Sequence, residues 1–373
     1  MSRFPVHGAL VDGSSTTVRV WAPDADRLAL VFDEEKHPME AVGEGCFELE
    51  TDAAGPGTRY QLLLDGDGPV PDPASRFQPE GVHGPSEVIA PNAYTWSDDD
   101  WTGVPREALV IYELHVGAFT PAGTFDAVRE RLDYLKSLGV TAIELMPVHD
   151  FPGERNWGYD PAALFAPAHP YGPPEALRRL VDAAHQAGLA VLLDVVYNHL
   201  GPDGAYAAAF APFLTGTHDT PWGPAVNLDD EGSAGVRRFF IDNALHWLRE
   251  YHVDGLRLDA THALYDDSDV HFLAELSAAV DEHVDGFERH LIAEDHRNEN
   301  CLVQPRADDG YGLDGVWSDD LHHQCRVLTA GDAEGYYQDY QGVTAQDIVT
   351  TLHDGWFFRG EYSEIGRASC RER

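Results

Sequence analysis

The sequence predicts an α/β protein in which a small β-sandwich precedes a (β/α)8 TIM barrel. Residues 1 to about 100 alternate apolar with polar side chains in short segments separated by glycine, proline and aspartate, as antiparallel strands do. From Leu109 onward, apolar strand-like segments alternate with segments of helical spacing, which predicts a parallel sheet. Several of these strands end in charged residues, and this favours a barrel over an open doubly wound sheet.

The first part divides into short predicted strands and a connector. The strands lie in TTVRVWAP, RLALVF, CFELE and TRYQLLLDG, and a proline-rich connector runs from Pro69 to Pro91. We therefore expect an N-terminal sandwich domain at 1–100 and a catalytic barrel at 101–363, with a short insertion at about 198–232.

The second part offers six predicted barrel strands. They lie at 109–116, 140–146, 189–196, 254–259, 290–294 and 314–318. The helical segment FDAVRERLDYLKSLG stops at Gly139, and PPEALRRLVDAAHQAG begins with proline and ends on glycine. A closed barrel needs eight strands, so about six of eight are present and the barrel is expected to be incomplete at its C-terminal end. The last ten residues, EIGRASCRER at 364–373, depart in composition and are interpreted as a non-native tail; a genuine disordered tail is the alternative.

The charge balance excludes two classes of partner. Acidic residues number 64 and basic residues 25, which gives a formal net charge of −39. Such a field repels phosphate backbones and anionic lipids, so we expect no nucleic acid and no membrane surface as partner. All basic residues except Lys36 and Lys136 are arginine, which fits either a salt-adapted cytoplasm or a high-GC genome.

The termini and cysteines indicate a cytoplasmic protein. No segment approaches the ~18 apolar residues of a membrane span, and MSRFPVHGAL lacks the features of a signal peptide. Cys46, Cys301, Cys325 and Cys370 lie far apart without a C-x-x-C pair, which argues against a zinc site and a disulfide framework.

Three predicted barrel strands end in an acid: Asp194 in LLDVV, Asp259 in LRLDA and Glu294 in LIAED. Asp259 and Glu294 are 35 residues apart, about one βα unit, so they belong on neighbouring strands. Arg257 shares a strand face with Asp259 and keeps that carboxylate ionised, whereas Glu294 follows three apolar residues and is expected to hold its proton. One charged and one protonated acid is the arrangement of glycoside hydrolysis. For each acid alone, a helix cap or a structural ion pair is the alternative.

Three motifs carry a family resemblance. DVVYNH (194–199), GLRLDATH (255–262) and IAED (292–295) resemble three of the sequence regions of the α-amylase family, glycoside hydrolase family 13. VIYELHVGAFTPAGTF, TPWGPAVNLD and WSDDLHH resemble those members that release trehalose from the end of a maltodextrin, and the resemblance runs from about residue 10 to about 360.

The resemblance implies a retaining mechanism with Asp259 as nucleophile and Glu294 as proton donor. It further implies substrate-binding roles for Trp157, Tyr159, Asp194, His199, Arg257, His262, Asp319, His322 and His323. The family's third catalytic aspartate belongs to an Asn-His-Asp motif, and no such motif occurs in this chain, so that role is assigned to no residue.

Some of these residues also have structural interpretations. NWGYDP could be an aromatic turn, and Asp319 or Asp320 could lie near the N-cap of a helix that contains both histidines. Asn198 stands where calcium-dependent amylases carry a ligand, but without an acidic cluster it is expected to form a structural hydrogen bond. We expect no metal and no cofactor.

The expected substrate is malto-oligosyltrehalose or a related α-glucan. The expected reaction cleaves the α-1,4 bond next to the terminal trehalose unit and releases trehalose. A glycogen branching enzyme, which shares the sandwich, the barrel and the acids, is one alternative. An inactive glucan-binding fragment is the other.

Overall fold

The structure, a computed structural model, describes residues 7–359. The expected tail at 364–373, including Cys370, lies outside the described residues. Two antiparallel sheets come first, with strand orders β1-β2-β6-β5 and β4-β3-β7-β8, and β9 pairs with β7. The strands are β1 (Gly8–Asp12), β2 (Ser15–Trp21), β3 (Leu28–Phe32), β4 (Glu35–Pro38), β5 (Glu40–Gly43), β6 (Cys46–Thr51), β7 (Arg59–Leu64), β8 (Asp67–Val70) and β9 (Ser86–Glu87).

The two sheets share one core. Along β2 every second residue is buried, as the alternation in its sequence predicts. Val18 and Val20 of β2 join Leu30 of β3 and Leu62 of β7 in a single buried cluster. The facing sides of both sheets are therefore apolar and packed against each other.

A curled parallel sheet follows, with the order β10-β11-β14-β17-β18-β19. The strands of the second part are β10 (Ile111–Leu114), β11 (Ala142–Leu145), β12 (His149–Asp150), β13 (Ala163–Pro167), β14 (Ala190–Val195), β15 (Leu214–Thr220), β16 (Gly223–Val226), β17 (Gly255–Leu258), β18 (His290–Glu294) and β19 (Gly315–Trp317). Within the described residues, the outer edges of β10 and β19 pair with no other strand.

Helices cover the parallel sheet. They are α1 (Val116–Phe119), α2 (Phe125–Arg129), α3 (Leu132–Ser137), α4 (Pro174–Ala187), α5 (Ala207–Phe210), α6 (Ser233–Glu250), α7 (Phe272–His283), α8 (Asp319–Ala330) and α9 (Ala345–Asp354). The continuous helix expected from Phe125 to Gly139 is wrong, because the chain breaks into α2 and α3 where Arg131 leaves helical geometry (φ −107°, ψ 3°). Among residues 7–359, no helix combines the length and apolar character needed to cross a bilayer.

Two apolar clusters lie on opposite sides of the parallel sheet. The larger one joins the strands to the surrounding helices, with Phe240 and Trp247 of α6 among its buried members. The smaller one lies inside the curl and includes Ala142, Leu192 and Ile292. Side chains that point the same way as this inner cluster therefore point into the curl. The acids at the strand ends lie on this side of the sheet.

The first antiparallel sheet contacts helix α6 closely. A Cβ atom added to Gly235 of α6 would lie 2.0 Å from Cζ2 of Trp21, the last residue of β2. Nearby, Nδ1 of His7 lies 2.7 Å from Oδ2 of the buried Asp242. The two parts of the chain thus meet along α6 without room for a further side chain at position 235.

Candidate active site

The acids at the strand ends meet because adjacent strands are in register. Asp194 of β14 lies opposite Arg257 of β17. Asp259 immediately follows β17, and Glu294 is the last residue of β18. The site expected from the sequence therefore forms one cluster at the carboxyl ends of three consecutive strands in the sheet.

Arg257 binds two of the three acids. Its Nη1 atom lies 2.9 Å from both carboxylate oxygens of Asp194 and 2.6 Å from Oδ1 of Asp259. Asp194 is fully buried and Arg257 nearly so. Burial raises the pKa of Asp194, and the guanidinium opposes that rise. Asp259 is half-buried, so it combines a fixed orientation with access from the rim.

Glu294 lies in a different environment. Its Oε2 atom accepts a 2.8 Å hydrogen bond from the backbone N–H of Ala260 and lies 3.7 Å from Nη2 of Arg257. Burial raises the pKa of Glu294, Arg257 opposes the rise, and the charge of Asp259 adds to it. The two acids thus differ in environment: Asp259 is bonded directly to Arg257, and Glu294 is held toward its protonated form.

Tyr159, Asn198 and His199 surround these acids. The Tyr159 hydroxyl donates to Oδ2 of Asp194 at 2.8 Å, and burial raises the pKa of Tyr159, so it remains a neutral donor. Nδ2 of Asn198 donates to Oδ2 of Asp259 at 2.9 Å, and the ring of His199 bonds both Oδ1 of Asn198 and the carbonyl of Tyr159. Asn198 therefore orients the Asp259 carboxylate through a side-chain hydrogen bond.

The loop that carries Tyr159 is fixed by a residue to which sequence reasoning gave no role. Nε2 of His149 lies 2.6 Å from the carbonyl oxygen of Gly158, and burial lowers the pKa of His149 to about 4. Gly158 has φ 100°, and a Cβ there would lie 2.5 Å from the carbonyl oxygen of Pro147. The backbone before Tyr159 thus requires glycine and a neutral, donating histidine.

The remaining aromatic and histidine candidates lie around the rim. Trp157 is 75% exposed, and Trp222 stacks on His199 with 5.3 Å between ring centroids. His262 contacts His296 at 4.2 Å between centroids. Burial, and then the neighbouring His296, lower the pKa of His262 to about 4, so His262 is neutral at neutral pH.

The WSDDLHH segment forms the start of α8. Ser318 caps the helix by accepting from the backbone N–H of Asp320. Asp319 lies close enough to Glu294 to raise its pKa. His322 is exposed, whereas His323 is buried, 5.1 Å from the ring of Tyr340.

Asp320 is the buried acid of this segment, and the sequence did not single it out as a binding residue. It accepts hydrogen bonds from Nδ2 of Asn298 at 2.8 Å, the hydroxyl of Tyr340 at 2.6 Å and the backbone N–H of Phe357 at 2.7 Å. Two loops and the end of the 3-10 helix at Gly335–Tyr340 therefore converge on one carboxylate. Adjacent aspartates give no sequence signal for which of them faces inward.

Two groups of potential metal ligands occur among the described residues. They are His218, Asp229 and Asp267, and Glu113, Glu144 and Asp194. The second group includes Asp194, the buried acid bonded to Arg257.

Comparison with known proteins shows which enzymes the chain resembles. Residues 88–211 match the family described as alpha amylase, catalytic domain. This part of the chain is therefore similar to the α-amylase family. It is 44% identical to the malto-oligosyltrehalose trehalohydrolase of Saccharolobus solfataricus over 361 residues, which covers 96% of this chain and 63% of that enzyme. The chain thus spans less than two thirds of the length of this curated relative.

Two further comparisons concern the fold and a different activity. A Salmonella typhimurium protein described as an alpha amylase matches with a TM-score of 0.91 at 40% identity, covering 97% of this chain and 62% of that one. The 1,4-alpha-glucan branching enzyme of Corynebacterium jeikeium is 32% identical over 357 residues, covering 84% of this chain and 50% of that enzyme. The parallel sheet is therefore that of a (β/α)8 barrel-type domain.

Proposed function

We propose that this chain carries the hydrolytic site of a retaining glycosidase that cleaves the α-1,4 bond beside the terminal trehalose unit of malto-oligosyltrehalose and releases trehalose. The observation that carries the proposal is the pair of unlike acids on neighbouring strands, Asp259 bonded to Arg257 and Glu294 with a raised pKa. The 44% identity to a trehalohydrolase supports this substrate over other α-glucans.

The proposed chemistry follows from these two acids. Asp259 attacks the anomeric carbon while Glu294 gives its proton to the leaving oxygen, which departs as free trehalose. The covalent glycosyl intermediate is then hydrolysed by water, and Glu294, now ionised, takes up the proton of that water. Arg257 stabilises the negative charge of Asp259 before attack and after hydrolysis.

The other candidate residues divide by position. Asp194, Tyr159 and His199 are linked to the acids by hydrogen bonds, which supports a role in holding the sugar at the cleavage point. Trp157 and His262 are proposed as stacking and leaving-group contacts. Further proposed contacts with the trehalose end are Asp319, His322 and His323. We propose that no residue of this chain supplies the third catalytic carboxylate of the family.

We also propose that the chain consists of two domains. Residues 1–100 are proposed as an accessory β-sandwich domain and 101–363 as the catalytic barrel domain, with 198–232 inserted. The separate apolar clusters of the antiparallel sheets and of the parallel sheet support this division. A cytoplasmic location is proposed because Cys46, Cys301 and Cys325 form no disulfide, which suits a reducing compartment.

Product analysis tests the function. Purified protein is incubated with malto-oligosyltrehalose and, in parallel, with a maltodextrin that lacks the trehalose end. Free trehalose from the first substrate, and little glucose or maltose from the second, is the expected result. New α-1,6 branches would favour the branching enzyme, which the 32% identity to that class makes the second candidate. Absence of both products would favour an inactive glucan-binding chain.

A further inference from the structure

A buried carboxyl group without a hydrogen bond lies beside the candidate site. Glu144 of β11 is fully buried, and no described residue donates a hydrogen bond to either of its carboxyl oxygens. Such a group is costly when charged, because a buried carboxylate loses the hydration that stabilises its charge. Neither the family motifs nor the proposed mechanism gives Glu144 a role.

The charges that face Glu144 come from three strands. Glu113 of β10 lies directly opposite it in the strand register, Asp194 comes from β14 and Arg257 from β17. One carboxylate oxygen from each of Glu113, Glu144 and Asp194 lies within 4.8 Å of the others. Three acids thus face one cation, and that cation is already bonded to Asp194 and Asp259.

This imbalance favours a neutral Glu144. Burial, and then the charge of Asp194, raise the pKa of Glu144 to about 9, although Arg257 opposes the rise. A protonated Glu144 adds no negative charge next to Asp194. The guanidinium of Arg257 is then shared between Asp194 and Asp259.

Arg257 has a free donor that an ionised Glu144 would attract. Its buried Nε atom forms no hydrogen bond with the described residues, whereas Nη1 serves both Asp194 and Asp259. An ionised Glu144 next to Asp194 would compete for the guanidinium of Arg257. This competition would weaken the 2.6 Å contact between Arg257 and Asp259.

We propose that Glu144 is a positioning residue that must remain protonated, so that the guanidinium of Arg257 stays shared between Asp194 and Asp259. Glu144 does not touch the sugar in this proposal; it acts through Arg257. The inference rests on the proposed function for its effect on glucan binding, but the protonation of Glu144 is measurable without any substrate.

The first experiment measures that protonation. Infrared difference spectra between the wild-type protein and Glu144→Gln at pH 7 should contain a carboxylic acid C=O band, and raising the pH to about 10 should remove it. The matched variant Glu113→Gln, at the opposing position of β10, should retain the band. Absence of the band from the wild-type protein at pH 7 overturns the proposal.

The same spectra separate a proton from a metal ion. A divalent cation bound by Glu113, Glu144 and Asp194 would require Glu144 to be ionised. Titration with Ca²⁺ or Mn²⁺, followed by calorimetry, should show no binding that Glu144→Gln abolishes. Binding of either ion with loss of the C=O band overturns the proposal in favour of a cation site.

The second experiment measures the consequence for the site. In Glu294→Gln, which arrests hydrolysis and removes the titration of Glu294, the Kd for malto-oligosyltrehalose should rise at least about tenfold between pH 7 and pH 10. In Glu144→Gln/Glu294→Gln the change should be less than about twofold. Circular dichroism at both pH values verifies that both variants are folded.

These experiments distinguish failure of the positioning role of Glu144 from failure of the proposed function. Equal pH dependence in the single and double variants overturns the positioning role even if the C=O band is present. If neither variant binds malto-oligosyltrehalose at pH 7, the proposed function and the positioning role are both rejected, and only the protonation state given by the infrared band survives.

Discussion

The backbone N–H of Ala260 donates a 2.8 Å hydrogen bond to Oε2 of Glu294. Ala260 directly follows Asp259 and has φ 44° and ψ 52°, a left-handed conformation that costs a non-glycine residue about 1 kcal/mol or more. This turn points the amide at the neighbouring strand end. The separation of the two acids is therefore fixed by backbone as well as by Arg257, which is what a covalent two-step mechanism requires.

The first prediction concerns the two acids. Asp259→Asn and Glu294→Gln should each lower trehalose release by at least about a hundredfold, because one removes the proposed nucleophile and the other the proposed proton donor. Initial rates with malto-oligosyltrehalose measure this effect. The exposed Asp269→Asn serves as the control and should release trehalose at the wild-type rate. Retention of more than about a tenth of the turnover by either variant contradicts the assignment.

The second prediction concerns Tyr159. Tyr159→Phe removes the 2.8 Å hydrogen bond to Asp194 but keeps the ring, so kcat/KM should fall about tenfold. Tyr159→Ala should cost more, since it also removes a surface for the sugar ring. Tyr134→Phe, at an exposed tyrosine of α3, is the matched control. Unchanged kinetics in Tyr159→Phe would show that the hydroxyl does not orient Asp194.

The third prediction concerns stability in acid. Oδ2 of the buried Asp98 lies 2.9 Å from Nδ1 of both His185 and His252. Burial opposes ionisation, but these hydrogen bonds outweigh it and hold the pKa of Asp98 below its ordinary value. The ionised group therefore stabilises the fold above the unfolded-state pKa of about 3.9, and this contribution is lost as the pH falls through the lower folded-state pKa.

Asp98→Asn should consequently lower the free energy of unfolding by about 2 kcal/mol at pH 7. The difference from wild type should remain constant down to about pH 5 and shrink below about pH 4. Urea unfolding across this range measures it, with the exposed neighbour Asp99→Asn as control. A difference that grows as the pH falls would mean that Asp98 does not contribute through its charge.

The fourth prediction concerns salt. A net charge of −39 produces self-repulsion in the folded state, and salt shortens its range from about 10 Å at 0.1 M to about 3 Å at 1 M. The melting temperature should therefore rise between low and molar NaCl. Scanning calorimetry with sucrose as an uncharged control measures the effect. A melting temperature that is independent of NaCl would argue against salt adaptation.

The fifth prediction concerns Asp320. Asp320→Asn removes the negative charge that strengthens the hydrogen bonds from Asn298 and Phe357 to Oδ2, and it places an amide donor where the Tyr340 hydroxyl now donates to Oδ1. The free energy of unfolding should fall by about 1–3 kcal/mol, and amides near Phe357 should exchange faster with solvent. The exposed Asp308→Asn is the control. Unaltered hydrogen exchange near Phe357 would contradict the anchoring role.

The strands and the acid cluster follow from local rules. Apolar segments bounded by turn residues mark the strands, and parallel strands bring their carboxyl ends to one edge. Asp194, Asp259 and Glu294 are therefore expected to lie close together. In the structure, β14 and β17 are in register, and Arg257 bonds both Asp194 and Asp259.

Other features depend on contacts that lie far apart in the chain. The buried role of Asp320 is set by Tyr340 and Phe357, and nothing in the SDD segment distinguishes it from Asp319. In the sequence, Glu144 is one acid within an apolar strand. Its raised pKa depends on burial and on the charges of Asp194 and Arg257, which lie on other strands. Tertiary context, rather than residue type, decides both.

The close approach of Gly235 and Trp21 constrains how this protein can change. With 2.0 Å between the indole and a Cβ at position 235, no residue larger than glycine fits there unless Trp21 shifts or is replaced by a smaller residue. A chimera that took its first sheets from one relative and its helix α6 from another would need both positions from the same parent. A chimera that combines Trp21 with a side chain at position 235 should therefore lose packing at this junction and unfold at a lower temperature.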